Sequence, residues 1–236
     1  MKKQLSHYRS IWIAMIMMVT VVSMSWAQDR EKRDVSGFDE LSISSAFVVE
    51  ISVGNTESLE IEADDRYMDD VITEVRGGKL VIKMRDGRGR RRMNSSPRAY
   101  LTVKSLNSIH ASGAVKVESR DELKADRMEI VLSGASVLDL QLDVKELYLQ
   151  ASGACVINVE GTATEQTVKT NGATTYRAYD LESEIADIRV TGAGSARVSV
   201  SEKLDVRASG ASSIRYKGRP SVNSDTSGAS SVKRAN

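Results

Sequence analysis

The sequence predicts an all-β fold, a right-handed parallel β-helix or β-solenoid with turns of about 18–21 residues, on three observations. A small glycine-centred triplet recurs seven times, apolar residues alternate with period two on both sides of it, and each repeat is too long to run straight. The triplet is Ser-Gly-Ala or a close variant, centred on Gly113, Gly134, Gly153, Gly172, Gly192, Gly210 and Gly228. Successive glycines are 21, 19, 19, 20, 18 and 18 residues apart.

Before the glycine stand pairs such as Ile130/Leu132 and Ile188/Val190, and after it pairs such as Leu138/Leu140 and Ile157/Val159. Such alternation describes strands with one buried face and disfavours helix. A straight strand from Met128 to Leu142 would be on the order of 50 Å long, far beyond ordinary strands, so the chain must bend inside it. The Gly-Ala pair is the natural corner, because glycine tolerates positive φ and close backbone approach and alanine adds little bulk.

Each repeat then reads as two short strands joined by a corner and closed by a loop that absorbs the variation in length. Seven turns stacked about 4.8 Å apart would make a rod of roughly 34 Å. The Ser, Asn or Thr before each glycine would form one column, able to hydrogen-bond along the axis or to the corner backbone. An antiparallel meander or barrel of hairpins is the rival architecture, since two strands per repeat could also pair that way.

Residues 38–106 are strand-like without the triplet. Phe38–Ile43, Phe47–Val53, Leu59–Glu62, Val71–Val75, Leu80–Met84 and Tyr100–Val103 alternate or are apolar, and Gly77-Gly78 marks a turn. Asp65–Asp70 reads as one helical turn. Ser44-Ser45-Ala46-Phe47 resembles a degenerate corner, so this part reads as continuous with the repeat core of residues 107–236.

The first 27 residues have the order of a secretory signal: basic Lys2, Lys3 and Arg9, an apolar run from Ile11 to Val22, and the small-residue exit Ser25-Trp26-Ala27. Cleavage is expected after Ala27, with 28–37 as a linker. The apolar run is short of the roughly 20 residues needed to span a bilayer, so no transmembrane segment is expected after cleavage. Cleavage removes three positive charges and no acid, taking the formal charge from +1 to −2. A near-neutral exported chain has no electrostatic case for nucleic acid. Both tryptophans and His7 leave with the signal, and His110 remains as the sole histidine.

Cys155, the only cysteine, cannot form an internal disulfide, and its place in the repeat reads as a small packed residue. There is no metal-spaced His/Cys set, phosphate loop or nucleophile elbow, so no metal, cofactor or catalytic residue is assigned. Asp64, Asp65, Asp69 and Asp70 lack calcium-loop spacing and read as a solvated helix end. Arg85–Arg92 is a basic, glycine-rich loop. Its Arg88, Arg90, Arg91 and Arg92 are candidate contacts for an anionic envelope polymer or headgroup, against the plainer reading of a solvated loop.

Laid out in this way, the chain resembles the GIN-domain family of auto-transporter adhesin heads, common in Bacteroidetes. The resemblance is carried by Phe38–Ile43, Phe47-Val48-Val49-Glu50-Ile51, Gly78-Lys79-Leu80-Val81-Ile82 and the Ser-Gly-Ala series, across about residues 35–232. It implies an exported β-helical fold and, more weakly, adhesion, and it carries over no catalytic residue. The expectation is a non-enzymatic module in the periplasm or at the cell surface that offers its strand faces to an envelope glycan, a matrix or a protein partner. The alternative is a polysaccharide lyase or hydrolase on a β-helix, which needs carboxylates gathered in a sugar-sized groove.

Overall fold

The structure, a computed structural model, describes residues 29–85 and 96–235. Its repeat region is five long strands, β9 (Lys116–Gly134), β10 (Val137–Gly153), β11 (Val156–Gly172), β12 (Thr175–Gly192) and β13 (Ser195–Gly210), each pairing parallel with the next. Parallel pairing along whole repeats establishes the solenoid and excludes the antiparallel meander for this region.

Every rung has two faces. The first runs from the residues after a glycine corner to a second bend, and the other runs from that bend to the next corner. In β10 the inward residues are Leu138, Leu140, Leu142 and Val144 on the first face and Leu147, Leu149 and Ala151 on the second. The alternation slips by one at Lys145-Glu146, two exposed residues in succession. Asp126-Arg127 and Thr164-Glu165 do the same in β9 and β11, because a bend turns both side chains outward and only polar residues tolerate that. Lys145 meets Asp126 at 2.7 Å across adjacent rungs.

The variation in repeat length is absorbed mainly along the first face rather than in a closing loop, unlike the sequence-based expectation. The extra residues sit in bulges on the first face, where β9 places more residues opposite Asp139–Gln141 and β12 places three more than β13 after Ala178. The bulges keep the glycine corners in register, while at the second bend β13 places one residue more than β12, between Val200 and Lys203.

The N-terminal part continues the stack out of sequence order. β2 (Glu40–Ser45) pairs with β8 (Ser108–Gly113) on one side and β6 (Lys79–Met84) on the other, all parallel. Likewise β3 (Val48–Val53) lies between β9 and β7 (Arg98–Val103). The chain's second pass therefore lies beneath its first. Outside it, β4 (Ser58–Ala63) pairs antiparallel with β7 and with β1 (Asp29–Arg33), and β5 (Val71–Arg76) pairs antiparallel with β6. Gly77 and Gly78, at φ +56° and +81°, make the two-residue turn of that last hairpin, where both positions need positive φ. Helix α1 (Asp65–Met68) joins β4 to β5.

One buried cluster runs from Val35 to Ile214. Its inward ladders are mostly aliphatic, for instance Val117, Leu138, Ile157, Tyr176, Ala196 and Ile214. Tyr176 is the large exception and is accommodated beside Ala178 and Ala196, both small. Burial pushes its phenol well above the usual range. Its hydroxyl donates to Gln166 Oε1 at 2.9 Å, Gln166 donates to Ser183 at 2.6 Å, and Ser183 donates to the Ser199 carbonyl at 2.8 Å. The buried polar chain is thus closed on backbone.

Beyond β13, β14 (Ser213–Lys217) stacks on its first face and β15 (Ser221–Thr226) on its second, and β16 (Ser231–Arg234) adds one more strand on β14. Here the inward ladder passes from Leu204, Val206 and Ala208 to Val222, Ser224 and Thr226, so the core fades into polar residues at its solvent end.

Candidate functional site

Stacking in register turns each outward position into a column along the axis, and one column on the first face is sorted by charge. From the N-terminal end it reads Glu60, Tyr100, Glu50, Glu118, Asp139, Asn158, Arg177, Arg197, Arg215 and Lys233. The acidic half is neutralised from neighbouring columns. Glu50, only 7% exposed, accepts from Arg98 at 3.5 Å and from Arg120 Nε at 2.9 Å, and this contact raises Arg120 above its ordinary pKa. Lys116 pairs with Glu118, whose carboxylate raises the ammonium in the same way.

Asn158 joins the two halves. Its amide nitrogen donates to Asp139, and its amide oxygen accepts from Arg177 at 3.3 Å. An amide can serve an anion on one side and a cation on the other, which neither charged residue could do. Beyond it, Arg177, Arg197, Arg215 and Lys233 are all exposed, and none has a carboxylate within ion-pair distance among the described residues. The opposite face differs, because Arg189 there pairs with Asp187 and Lys203 with Asp205, each at 2.7 Å.

A groove of about 440 Å³ opens where the column changes sign, between the bulge at Ser119 and the one at Tyr179-Asp180. Asp139, Glu160 and Asp180 supply carboxylates to it, and Arg177 and Arg197 supply cations. Beside it Lys217 lies 4.6 Å from the centre of the Tyr179 ring.

The seven repeat glycines, Gly113, Gly134, Gly153, Gly172, Gly192, Gly210 and Gly228, all have positive φ, between +72° and +104°. They stack with Ser45, itself at φ +81°, as the first member of the column. The hydroxyls that serve the corners lie mainly two residues after the glycine rather than one before it. Ser212 Oγ donates to the carbonyls of Ser209 at 3.1 Å and Gly192 at 3.2 Å, whereas Ser152 reaches only 3.5 Å to Leu132. The residue before the glycine points outward, and the one two after it points in beneath the bend. Cys155 occupies this inward position, buried, and burial raises its thiol.

His110 stands half-buried between Ser42 and Val131 in an outward column of the second face. Asp64 caps α1 and grips Arg66 at 2.7 Å, which lowers its carboxyl to about 2. No group of three or more His, Cys, Asp or Glu able to hold a metal ion occurs among the described residues. Arg88, Arg90, Arg91 and Arg92 lie outside the described residues, as does the segment 1–27. The basic row was missed from sequence, although it has a signal: Asp139, Asn158, Arg177, Arg197, Arg215 and Lys233 each stand five residues after a corner glycine.

An aliphatic-cored parallel solenoid bearing stacked polar columns defines the class: a repeat protein whose turns display a long, ordered surface. Residues 37–220 match the family described as "Putative auto-transporter adhesin, head GIN domain", and the chain belongs to that family. A comparison with curated proteins found no match. A crystal structure named a "putative adhesin", from Bacteroides fragilis, is similar in fold, with a TM-score of 0.83 at 20% identity over 88% of this chain and 96% of that one. Another, named a "Putative lipid binding protein", from Parabacteroides distasonis, has a TM-score of 0.70 at 21% identity over the same shares of the two chains. At these identities the likeness concerns the fold.

Proposed function

We propose that the chain is an exported, non-enzymatic binding module of the cell envelope or cell surface, adhesin-like in action, that presents its ladder faces to an envelope glycan, a matrix or a protein partner. The observation that carries this reading is the ordered first face, where outward columns repeat rung after rung on a backbone held by continuous parallel pairing. Such a surface is fixed before the ligand arrives, which lowers the ordering cost of binding. Family membership supports the adhesin-like role, and the signal-like order of residues 1–27 supports export. No helix among the described residues is long and apolar enough to cross a membrane.

The test is retention of residues 28–236 on whole cells and on isolated envelope glycans. Retention on at least one supports the reading, and retention on neither overturns it. The groove also favours a second reading, a polysaccharide lyase or hydrolase, because Asp139, Glu160 and Asp180 gather there. Assaying the same glycans for new chain ends separates the two. Turnover abolished by Asp180→Asn would make the protein an enzyme.

A further inference from the structure

We infer that Arg177, Arg197, Arg215 and Lys233 form a docking row for a linear acidic glycan, carboxylated or sulfated, that lies along the solenoid axis. This deepens the binding-module reading and rests on it.

Four exposed cations occupy successive rungs of one column, about 4.8 Å apart, so the row spans roughly 14 Å. Like charges directly opposite one another in a sheet are destabilising, and among the described residues no carboxylate lies within ion-pair distance of these four. The acidic half of the column and part of the second face do pair their charges. Glu50 holds two arginines, Glu118 holds Lys116, and on the second face Arg189 and Lys203 each have an aspartate. In this column the change comes at Asn158, and beyond it four cations follow one another.

The geometry selects the occupant. A single file of charges matches a chain carrying acidic groups at regular intervals. Thr175, Ser195, Ser213 and Ser231 form the adjacent column and offer one hydroxyl per rung to a sugar. Arginine can grip a carboxylate or sulfate with two parallel N–H bonds, so three of the four positions give orientation as well as charge. A membrane surface would instead recruit apolar anchors beside the cations. The exposed large hydrophobics among the described residues are only Val53, Val137 and Val222, each on a different strand. Asp180, Glu160 and Asp139 repel an anion beyond Arg177, which fixes where the ligand ends.

The experiment measures binding of residues 28–236 to polygalacturonate, dextran sulfate, neutral dextran, duplex DNA, and vesicles with and without anionic lipid, at low and physiological salt. The probes are run against the unsubstituted protein, the double variant R197Q/R215Q, and the charge-matched control R189Q/K203Q on the opposite face. Binding to the acidic glycans is expected, weakening with salt, with a loss of about tenfold or more in R197Q/R215Q and less than about threefold in the control. Removing like-charge repulsion should leave the urea midpoint of R197Q/R215Q unchanged or raised, so a fall in binding is not a fall in folding. Equal losses in both variants, no loss in R197Q/R215Q, or a preference for DNA or vesicles over acidic glycans would overturn the inference. Retention on cells or neutral glycans without acidic-glycan binding would refute this row and leave the binding-module reading standing. Retention on nothing would refute both.

Discussion

Substituting the corner glycine Gly153 by alanine separates two reasons for its presence. Its φ is +104°, and a Cβ built there would lie 2.3 Å from the carbonyl oxygen of Gly134 in the rung beneath. Placing an L-residue in left-handed backbone costs about 1–2 kcal/mol. The contact is with backbone, which is held by the parallel ladder, so the rungs must part, at a further cost of about 1–3 kcal/mol by analogy with overpacked cores. Gly153→Ala should therefore destabilise by about 2–5 kcal/mol. Gly37 isolates the first contribution: its φ is +72° and nothing lies within 4 Å of its built Cβ, so Gly37→Ala should cost only about 1–2 kcal/mol. Ser45→Gly tests the column from the other end. Ser45 is the one non-glycine in the column, and among the described residues β6 pairs with β2 only as far as Ile43. Glycine there relieves strain but raises the entropy of the unfolded chain, and the net change should be under about 1 kcal/mol. Urea unfolding of residues 28–236 gives all three values, provided the m-value is unchanged, since repeat arrays can lose cooperativity. Equal costs for Gly153→Ala and Gly37→Ala would refute the stacking argument and leave only backbone strain.

Three further outcomes are expected. Tyr176→Phe keeps the ring packing but strands the Gln166 carbonyl oxygen in the core, and should cost about 1–3 kcal/mol in the same urea assay. Asp64 should titrate near 2 by NMR, against a model-peptide value of 3.8. Because its folded pKa is the lower one, its contribution to stability is present above about pH 4 and lost as pH falls through 2. Arg66→Gln should move the titration back toward 3.8. Cys155, buried and with its thiol raised, should react slowly with a thiol reagent in the native protein and rapidly in urea; fast native labelling would mean that the corner opens.

The β class and the solenoid were legible because the same constraint recurs at every turn. Period-two alternation is a one-dimensional pattern set by the pleat, and a residue such as Leu149 or Ile188 carries it regardless of what lies above or below. The second bend was also written in the sequence, as the phase slip at Lys145-Glu146, but it was read as a loop because exposed charged pairs occur in both settings. Tertiary structure alone decided three things. The second pass of the chain lies beneath the first, which no local pattern encodes, since β6 and β7 read like any other strands. Surplus residues went into bulges at Arg120 and Tyr179, because keeping the glycine corners stacked outweighs regularity on one face. Most consequentially, residues 18 to 20 apart in sequence became neighbours in one column, so that Arg177, Arg197 and Arg215, unremarkable singly, make a continuous row of charge. The sequence determined which residues face outward; only the register of the stack, set by the backbone ladder and its glycine corners, decided which of them stand together.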